Sequence, residues 1–110
     1  MMPVLKPSVW VYALIRRAEI GAAFAALVRK GDPDGGAVLV KVCTLDGSAV
    51  LYRPIRNFDG ERVWLPKGPM CEREIDQLIG KRVATDPDVW VVEIEDKQGR
   101  HFLTEPIEVE

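Results

Sequence analysis

Few of the side chains on which metal sites and nucleophilic enzymes depend occur in this sequence. Its 110 residues include one histidine, His101, and two cysteines, Cys43 and Cys71. A structural zinc site takes about four ligands, mostly Cys or His, and a disulfide scaffold needs more cysteines than this. We therefore expect no metal, no cofactor and no disulfide, and we interpret both cysteines as small buried hydrophobic residues. No catalytic residue is assigned, because no serine, cysteine or histidine lies in a nucleophile motif.

Long apolar runs and a strong net charge are also missing. The apolar segment Val9–Ile15 has about a third of the length that spans a bilayer, and no signal-peptide cleavage pattern follows it. The formal net charge is −2, and the isoelectric point of about 5.5 is far below the value of about 9 that marks nucleic-acid-binding domains. We therefore expect a cytoplasmic protein with no membrane segment and no bulk attraction to nucleic acid.

The composition is that of an ordinary folded domain. Hydrophobic residues make up 47% of the chain and charged residues 29%, which suits a chain that buries its own core. We expect a single globular domain over residues 1–110, with an ordered core over about 8–104. The acidic tail at 105–110 contains Pro106 and is expected to fray.

The first half of the chain predicts a strand, a helix and a three-stranded meander. Val9–Ile15 is rich in β-branched and aromatic residues and is apolar at successive positions, which is typical of a central strand. Apolar residues spaced i, i+4, i+7, i+8 among alanines predict a helix over 20–30. Asp46-Gly47 and Asp59-Gly60 separate apolar runs as hairpin turns do, and they predict an antiparallel meander over 37–65.

The second half predicts a helix and a closing hairpin. Pro69 at a first helical position, followed by carboxylates in the first turns, predicts a helix over 69–84. A strand over 89–95 alternates apolar residues with glutamates, which places Trp90 in the core. The chain then turns and returns as a strand over 101–104. The predicted fold class is α+β, a small antiparallel sheet with two helices in the order β-α-β-β-β-α-β-β.

Several segments resemble a family of short bacterial proteins. The segments that carry the resemblance are Trp10-Val11 with Leu14, Arg16 and Arg17, then Val40-Lys41-Val42 with Leu45-Asp46-Gly47, and the acidic segment 86–96 followed by Gly99-Arg100-His101-Phe102-Leu103. Over Ser8–Leu103 the sequence is similar to the family catalogued as domain of unknown function 1491. The resemblance implies a stand-alone cytoplasmic protein of this length, and it implies no activity, cofactor or catalytic residue.

The closing hairpin carries the surface on which we expect a function to lie. Glu93 and Glu95 share one strand face, although β-strands disfavour glutamate and carboxylates at alternate positions repel each other. The predicted turn brings Arg100 and His101 back beside them. We predict that Glu93, Glu95, Arg100 and His101 form a surface for a partner or ligand. As an alternative, the carboxylates and the histidine would bind a divalent metal or act as acid and base.

Two further patterns point toward nucleic acids. Asp88 with Glu95-x-Lys97 matches part of the minimal pattern of restriction-type nucleases. Eight basic residues occur near three aromatic ones, as on a nucleic-acid face: Arg16, Arg17, Arg29, Lys30, Arg53, Arg56, Arg62 and Lys67, with Tyr52, Phe58 and Trp64.

The interpretation that we favour is a non-catalytic interaction or accessory domain. Its partner is an unidentified protein, and a homodimer through an exposed strand edge is one form that the interaction would take. The alternatives are a small metal-dependent or acid–base enzyme that uses Glu93, Glu95 and His101, and an RNA- or ribosome-associated protein.

Overall fold

The strand at 38–43 is buried at every position, and it forms the centre of the sheet. The computed structural model describes residues 5–108. In chain order its elements are α1 (Pro7–Ile20), β1 (Phe24–Arg29), β2 (Val38–Cys43), β3 (Ser48–Arg56), β4 (Arg62–Cys71), α2 (Glu72–Thr85) and β5 (Trp90–Glu95). The strand order is β1-β5-β2-β3-β4. β2 and β5 are parallel, and the other neighbouring strands are antiparallel.

One helix covers each face of the sheet. Because side chains alternate along a strand, the valines of β2 face α1, while Leu39 and Cys43 face α2. Leu14 of α1 is fully buried in the first core, and Ile75 of α2 is fully buried in the second. Within residues 5–108 no helix has the length and apolar character that a membrane span requires.

The predicted α+β class with two helices is confirmed, but the sheet is mixed rather than antiparallel. The meander over 37–65 is confirmed as β2, β3 and β4, and Trp90 is fully buried as expected. The observed order is α-β-β-β-β-α-β, which departs from the predicted order at its two ends. Of the two thiols predicted to be buried, Cys43 is buried and Cys71 is exposed, because Cys71 lies at the end of the edge strand β4.

The prediction of a strand over Val9–Ile15 is wrong, because this segment lies in α1. Val11 and Leu14 are buried against the sheet, whereas Val9 and Tyr12 are more than half exposed. The segment is therefore apolar on both sides of the helix. Apolar residues on both sides hide the 3.6-residue period and imitate a strand that is covered on both faces.

The prediction of a helix over 20–30 is wrong as well, because α1 ends at Ile20 and Phe24–Arg29 forms β1. The chain leaves α1 at Gly21, where an added Cβ would overlap the ring of Phe102. Burial then alternates as a strand requires, with Ala25 and Leu27 packed in the α1 core and Phe24 and Val28 exposed. The alanines favour a helix locally, but pairing of β1 with β5 overrides that propensity.

The second helix begins three residues later than predicted. α2 spans Glu72–Thr85 rather than 69–84, and Pro69 lies in β4. The last two residues of β4 still pair with β3 beyond Pro69. Strand pairing therefore outweighs the preference of proline for a first helical turn.

The predicted return strand over 101–104 is absent, and these residues have no regular structure. β5 already pairs with β1 on one side and with β2 on the other. A strand with two neighbours has no free edge to accept a hairpin partner. The chain after β5 therefore crosses onto the α1 face, where Phe102 and Leu103 pack against the core.

Residues 105–108, part of the tail that is predicted to fray, contact the rest of the fold, and residues 109–110 lie outside the described residues. Ile107 forms an isolated bridge with Trp64 of β4. Glu105 accepts hydrogen bonds from the indole Nε1 atoms of Trp10 and Trp64, at 3.0 and 2.9 Å. The segment therefore joins α1 to the edge strand β4.

Candidate functional site

A buried lysine surrounded by carboxylates lies between α2 and the sheet. Lys41 occupies the middle of β2 on the face that α2 covers, and its side chain is 5% exposed. Its Nζ lies 2.8 Å from Glu72 Oε1 and 2.6 Å from Asp76 Oδ1, both on α2. It also lies 3.1 Å from Glu93 Oε1 on β5. The single ammonium therefore bridges the helix and two strands.

The environment keeps Lys41 protonated. Burial acts to lower the pKa of Lys41, but hydrogen bonds to Asp76, Glu72 and Glu93 outweigh it and raise that pKa well above its ordinary value. A nucleophilic or Schiff-base lysine needs the opposite shift, toward a neutral amine. Lys41 therefore acts as a fixed positive charge.

The neighbouring thiol is also held in its unreactive form. Burial raises the pKa of Cys43 to about 12, although the charge of Lys41 opposes this. The Sγ atom of Cys43 donates a long hydrogen bond of 3.6 Å to Glu72 Oε1. Because the thiolate is the reactive species, a buried and protonated Cys43 is a structural residue.

Cys43, Glu72 and Glu93 form the one close group of three metal-ligating side chains within residues 5–108, with ligand atoms inside 4.8 Å of one another. Lys41 already forms ion pairs with both carboxylates of this group. A divalent cation placed among them would face the ammonium at close range, where like charges repel strongly. The geometry therefore fits an internal ion-pair network better than a metal centre.

The two glutamates of the predicted surface have different surroundings. Glu93 pairs in register with Lys41 and faces α2, and its side chain is 25% exposed. Glu95 lies on the same face, two residues further along β5, and is partly exposed. Glu93 is thus engaged inside the ion-pair network, while Glu95 remains available to solvent.

The structure separates Arg100 and His101 from the glutamates. Arg100 binds Asp96 with two side-chain hydrogen bonds, of 3.0 and 2.8 Å, and its guanidinium stacks on Phe102. The ring of His101 packs edge-on against Tyr52, which belongs to the core on the α1 face. Glu93 lies on the opposite face of the sheet.

His101 is placed as a structural residue. Its Nδ1 accepts a hydrogen bond of 2.9 Å from the backbone N–H of Leu103. Burial lowers the pKa of His101, which favours the neutral imidazole. The alternative in which Glu93, Glu95 and His101 share a metal or act as an acid–base set therefore has no geometric support in the described residues.

The nuclease-like pattern does not assemble either. Asp88 precedes β5 and Glu95 ends it, so the two carboxylates lie at opposite ends of the strand. Lys97 is exposed in the turn after β5. The groups that a nuclease would bring to one phosphodiester are therefore spread along the sheet.

The basic residues form no continuous face. Arg17, Arg29 and Arg56 each donate side-chain hydrogen bonds to backbone carbonyls in three different parts of the fold. Arg53 and Lys67 lie together, and they line a cavity under α2. This scatter does not favour a nucleic-acid groove, which needs a continuous basic track.

One edge of the sheet is open and apolar. β1 is the outermost strand, and within residues 5–108 no other segment pairs with its outer side. On the face away from α1, Phe24 is 61% exposed and Val28 is 60% exposed. Phe24 is the register partner of Glu95. The open edge and the partly exposed Glu95 therefore belong to one surface.

This edge has little of the charge that usually protects edge strands, although its register with β5 shifts between Leu27 and Arg29, as at a β-bulge. Natural edges are blunted with lysine, proline or inward charges, whereas β1 reads Phe-Ala-Ala-Leu-Val before Arg29. Arg29 itself turns back onto the backbone carbonyls of Pro87 and Val89. The five preceding residues therefore present an uncharged strand to solvent.

Sequence reasoning missed two features of this region. Lys41 stands alone among apolar residues in a strand, and a charge in a fully buried strand is a signal that a carboxylate partner lies nearby. The open edge at β1 gave no such signal, because the alanine-rich segment favours a helix locally.

The fold and its surfaces define a small α+β protein with a mixed sheet between two helices. The chain belongs to the family described as protein of unknown function DUF1491, whose model matches residues 5–104. This confirms the resemblance found in the sequence. The comparison with curated proteins gave no match.

Solved structures of relatives share the fold. A crystal structure of a DUF1491 family protein from Caulobacter crescentus CB15 is similar with 51% identity and a TM-score of 0.89, covering 96% of this chain and 100% of that one. An NMR structure of a DUF1491 family protein from the same organism has 49% identity and a TM-score of 0.86, covering 98% and 100%. A solution structure of a protein from A. tumefaciens has 31% identity and a TM-score of 0.81, covering 96% and 98%.

Proposed function

We propose that the protein is a non-catalytic interaction domain that binds a protein strand along the free edge of β1. The observation that carries this proposal is the uncharged, uncovered edge strand with Phe24 and Val28 exposed on one face. Strand addition to such an edge supplies main-chain hydrogen bonds, and the exposed side chains supply specificity.

The chemistry of the described residues supports a non-catalytic role. Lys41 is fixed as a cation, and the Cys43 thiol is buried with a raised pKa. His101 is bound to backbone on the other face of the sheet. An active site brings a nucleophile, a base and an orienting group within hydrogen-bond reach, and these groups do not meet.

The partner that this edge fits is a second copy of the chain. An antiparallel pairing centred on Ala26 places Phe24 next to Val28 of the second copy, at the register shift between Leu27 and Arg29, and the reverse pair follows from the two-fold symmetry. Both pairs lie on the same uncovered face. Aromatic and β-branched residues opposite each other stabilise antiparallel strands, so the edge is complementary to itself.

The carboxylates beside the edge do not oppose this pairing. Glu95 lies on β5, one strand behind β1. In the proposed dimer three strand spacings, roughly 14 Å, separate it from the β5 of the second copy. That separation exceeds the Debye length of about 8 Å at physiological ionic strength. Glu95 is therefore placed to keep the rim of the interface soluble.

Sedimentation equilibrium of two matched lysine variants tests the proposal. Val28→Lys places a charge on the edge strand, and we expect it to convert a dimer to a monomer. Val9→Lys is the control, because Val9 is 52% exposed on the outer side of α1 and Val28 is 60% exposed on β1. Phe24→Lys and Phe58→Lys form a second pair, since Phe58 is fully exposed on the turn between β3 and β4.

The expected result is a dimeric wild type, monomeric Val28→Lys and Phe24→Lys variants, and dimeric Val9→Lys and Phe58→Lys variants. All variants should retain the far-ultraviolet circular dichroism of the wild type, because each changed side chain is exposed. A monomeric wild type at high protein concentration, or a dimer that only Val9→Lys disrupts, would contradict the proposal.

A further inference from the structure

A cavity with an apolar floor and a basic rim lies between α2 and the sheet. Its volume is about 280 Å³, near the lower end of the roughly 300–1,000 Å³ that is typical of small-molecule sites. The floor and wall are Leu39 of β2, Leu51 of β3 and Leu78 of α2. The charged residues that line it are Arg53, Lys67 and Arg82.

The three cations lie close together with little opposing charge. Among residues 5–108, no carboxylate lines the cavity. Lys67 forms no ion pair with another residue in the range 5–108, and Arg82 has a single contact of 3.4 Å with Asp86. Two of the three carboxylates of α2, Glu72 and Asp76, are bound to Lys41. The rim therefore carries a net positive charge.

Arg53 also has a hydrogen-bond donor without an acceptor. Its Nε is buried and has no hydrogen-bond acceptor among the described residues. A buried donor without a partner is costly, and such groups are rare in folded proteins. The guanidinium of Arg53 is therefore incompletely paired in the wall of the cavity.

We propose that this cavity binds a small organic anion, a carboxylate joined to an aliphatic chain. The carboxylate accepts hydrogen bonds from Arg53, with Lys67 and Arg82 as further cations, because a guanidinium matches the geometry of a carboxylate. The aliphatic chain packs on the three leucines, where its burial is favourable. The cavity is separate from the strand edge, because β1 contributes no residue to it.

Titration with octanoate, followed by methyl NMR, tests the proposal. Octanoate has both parts of the ligand class, octan-1-ol has the chain without the charge, and inorganic phosphate has the charge without the chain. We expect octanoate to cause saturable shifts of the methyl resonances of Leu39, Leu51 and Leu78. Octan-1-ol and phosphate should each bind at least tenfold more weakly, since each lacks one of the two contributions.

Three charge-removing variants locate the site. Arg53→Gln and Lys67→Gln should each weaken octanoate binding by about tenfold, as loss of a charged hydrogen bond or close cation does. Arg73→Gln is the control, because Arg73 is exposed on α2 and does not line the cavity. Lys67 is exposed, so we expect Lys67→Gln to remain folded even if Arg53→Gln unfolds the protein.

Every outcome of these measurements either supports or overturns the proposed anion site. Weaker binding in Lys67→Gln with unchanged binding in Arg73→Gln supports the site. The proposal is overturned if octanoate shifts none of the three leucines, if octan-1-ol or phosphate binds as well as octanoate, or if Lys67→Gln and Arg73→Gln bind it equally.

Discussion

At the scale of single residues, Lys41 is the most constrained charge in the described chain. A buried ion pair contributes little net stability, because desolvation of the charges offsets their attraction. Removal of one partner is different, since the remaining charges lose their compensation. Lys41 joins two carboxylates of α2 to one of β5. It therefore sets where α2 lies on the sheet.

Lys41→Met should lower the free energy of unfolding by about 3 kcal/mol, at the lower end for buried pairs because the carboxylates are partly exposed. Methionine fills similar space, so the loss reports the missing charge. Lys6→Met is the control, because the Lys6–Asp34 pair is 68% and 74% exposed and such pairs contribute at most about 1 kcal/mol. Urea unfolding measures both variants. A loss for Lys41→Met no larger than the loss for Lys6→Met would contradict this role.

At the scale of elements, the sequence predicts best where local signals and tertiary pairing agree. The Asp-Gly turns and the alternating strands between them led to the correct meander, because hairpins are specified by adjacent residues. The predicted types of the first two elements are reversed: the first was predicted as a strand and is a helix, and the second was predicted as a helix and is a strand. The reasons for the two errors are opposite. α1 is apolar on both sides and imitates a strand, while β1 is rich in alanine and imitates a helix. Only the pairing of β1 with β5, which is far away in the chain, makes the alanine-rich segment a strand.

In the candidate site, too, local signals predicted some features, while others depend on tertiary contacts. The shared face of Glu93 and Glu95 was predictable, because strand alternation is local. The separation of His101 was not, because it depends on β5 having neighbours on both sides. The carboxylate partners of Lys41 and the cavity under α2 were also beyond local signals, since each combines residues from three or four elements.

Glu105 links α1 to β4 through hydrogen bonds to its carboxylate, and the stability of this link depends on pH. Burial acts to raise its pKa, but hydrogen bonds from Trp64 and Trp10 outweigh burial and lower the pKa below its ordinary value of 4.5. A carboxyl whose folded pKa is lowered stabilises the fold above its unfolded pKa, and that contribution is lost as the pH falls through the folded pKa. The link between α1 and β4 should therefore weaken in acid.

Glu105→Gln should cost about 1–2 kcal/mol at neutral pH, because the charged acceptor is replaced by a neutral one. The difference from the wild type should shrink as the pH falls below about 4.5, where the wild-type carboxyl also becomes neutral. Urea unfolding across this pH range, followed by tryptophan fluorescence, measures it. A difference that stays constant with pH would show that the carboxylate charge does not stabilise this link.

At the scale of the whole molecule, the arrangement of layers leaves one side of the sheet unfinished. The tail at 105–108 covers part of the edge strand β4 through the bridge between Ile107 and Trp64. α2 contributes to the core over β2, β3 and the start of β5. β1 therefore keeps both an open edge and an uncovered face, on which Phe24 and Val28 are exposed. Pairing of this edge with the sheet of a second copy would satisfy the unpaired backbone groups of β1.

The most direct test is an isotope-filtered NOE experiment on a mixture of labelled and unlabelled protein. Pairing of two β1 strands about Ala26 predicts an NOE between the Phe24 ring of one copy and the Val28 methyl groups of the other. Within one chain these residues are four positions apart on a strand, roughly 13 Å, which is too far for an intramolecular signal. Detection of this NOE, with its loss in Val28→Lys, is the predicted result. A mixture that gives no NOE between Phe24 and Val28, whether the protein is monomeric or paired through another surface, would contradict pairing through β1.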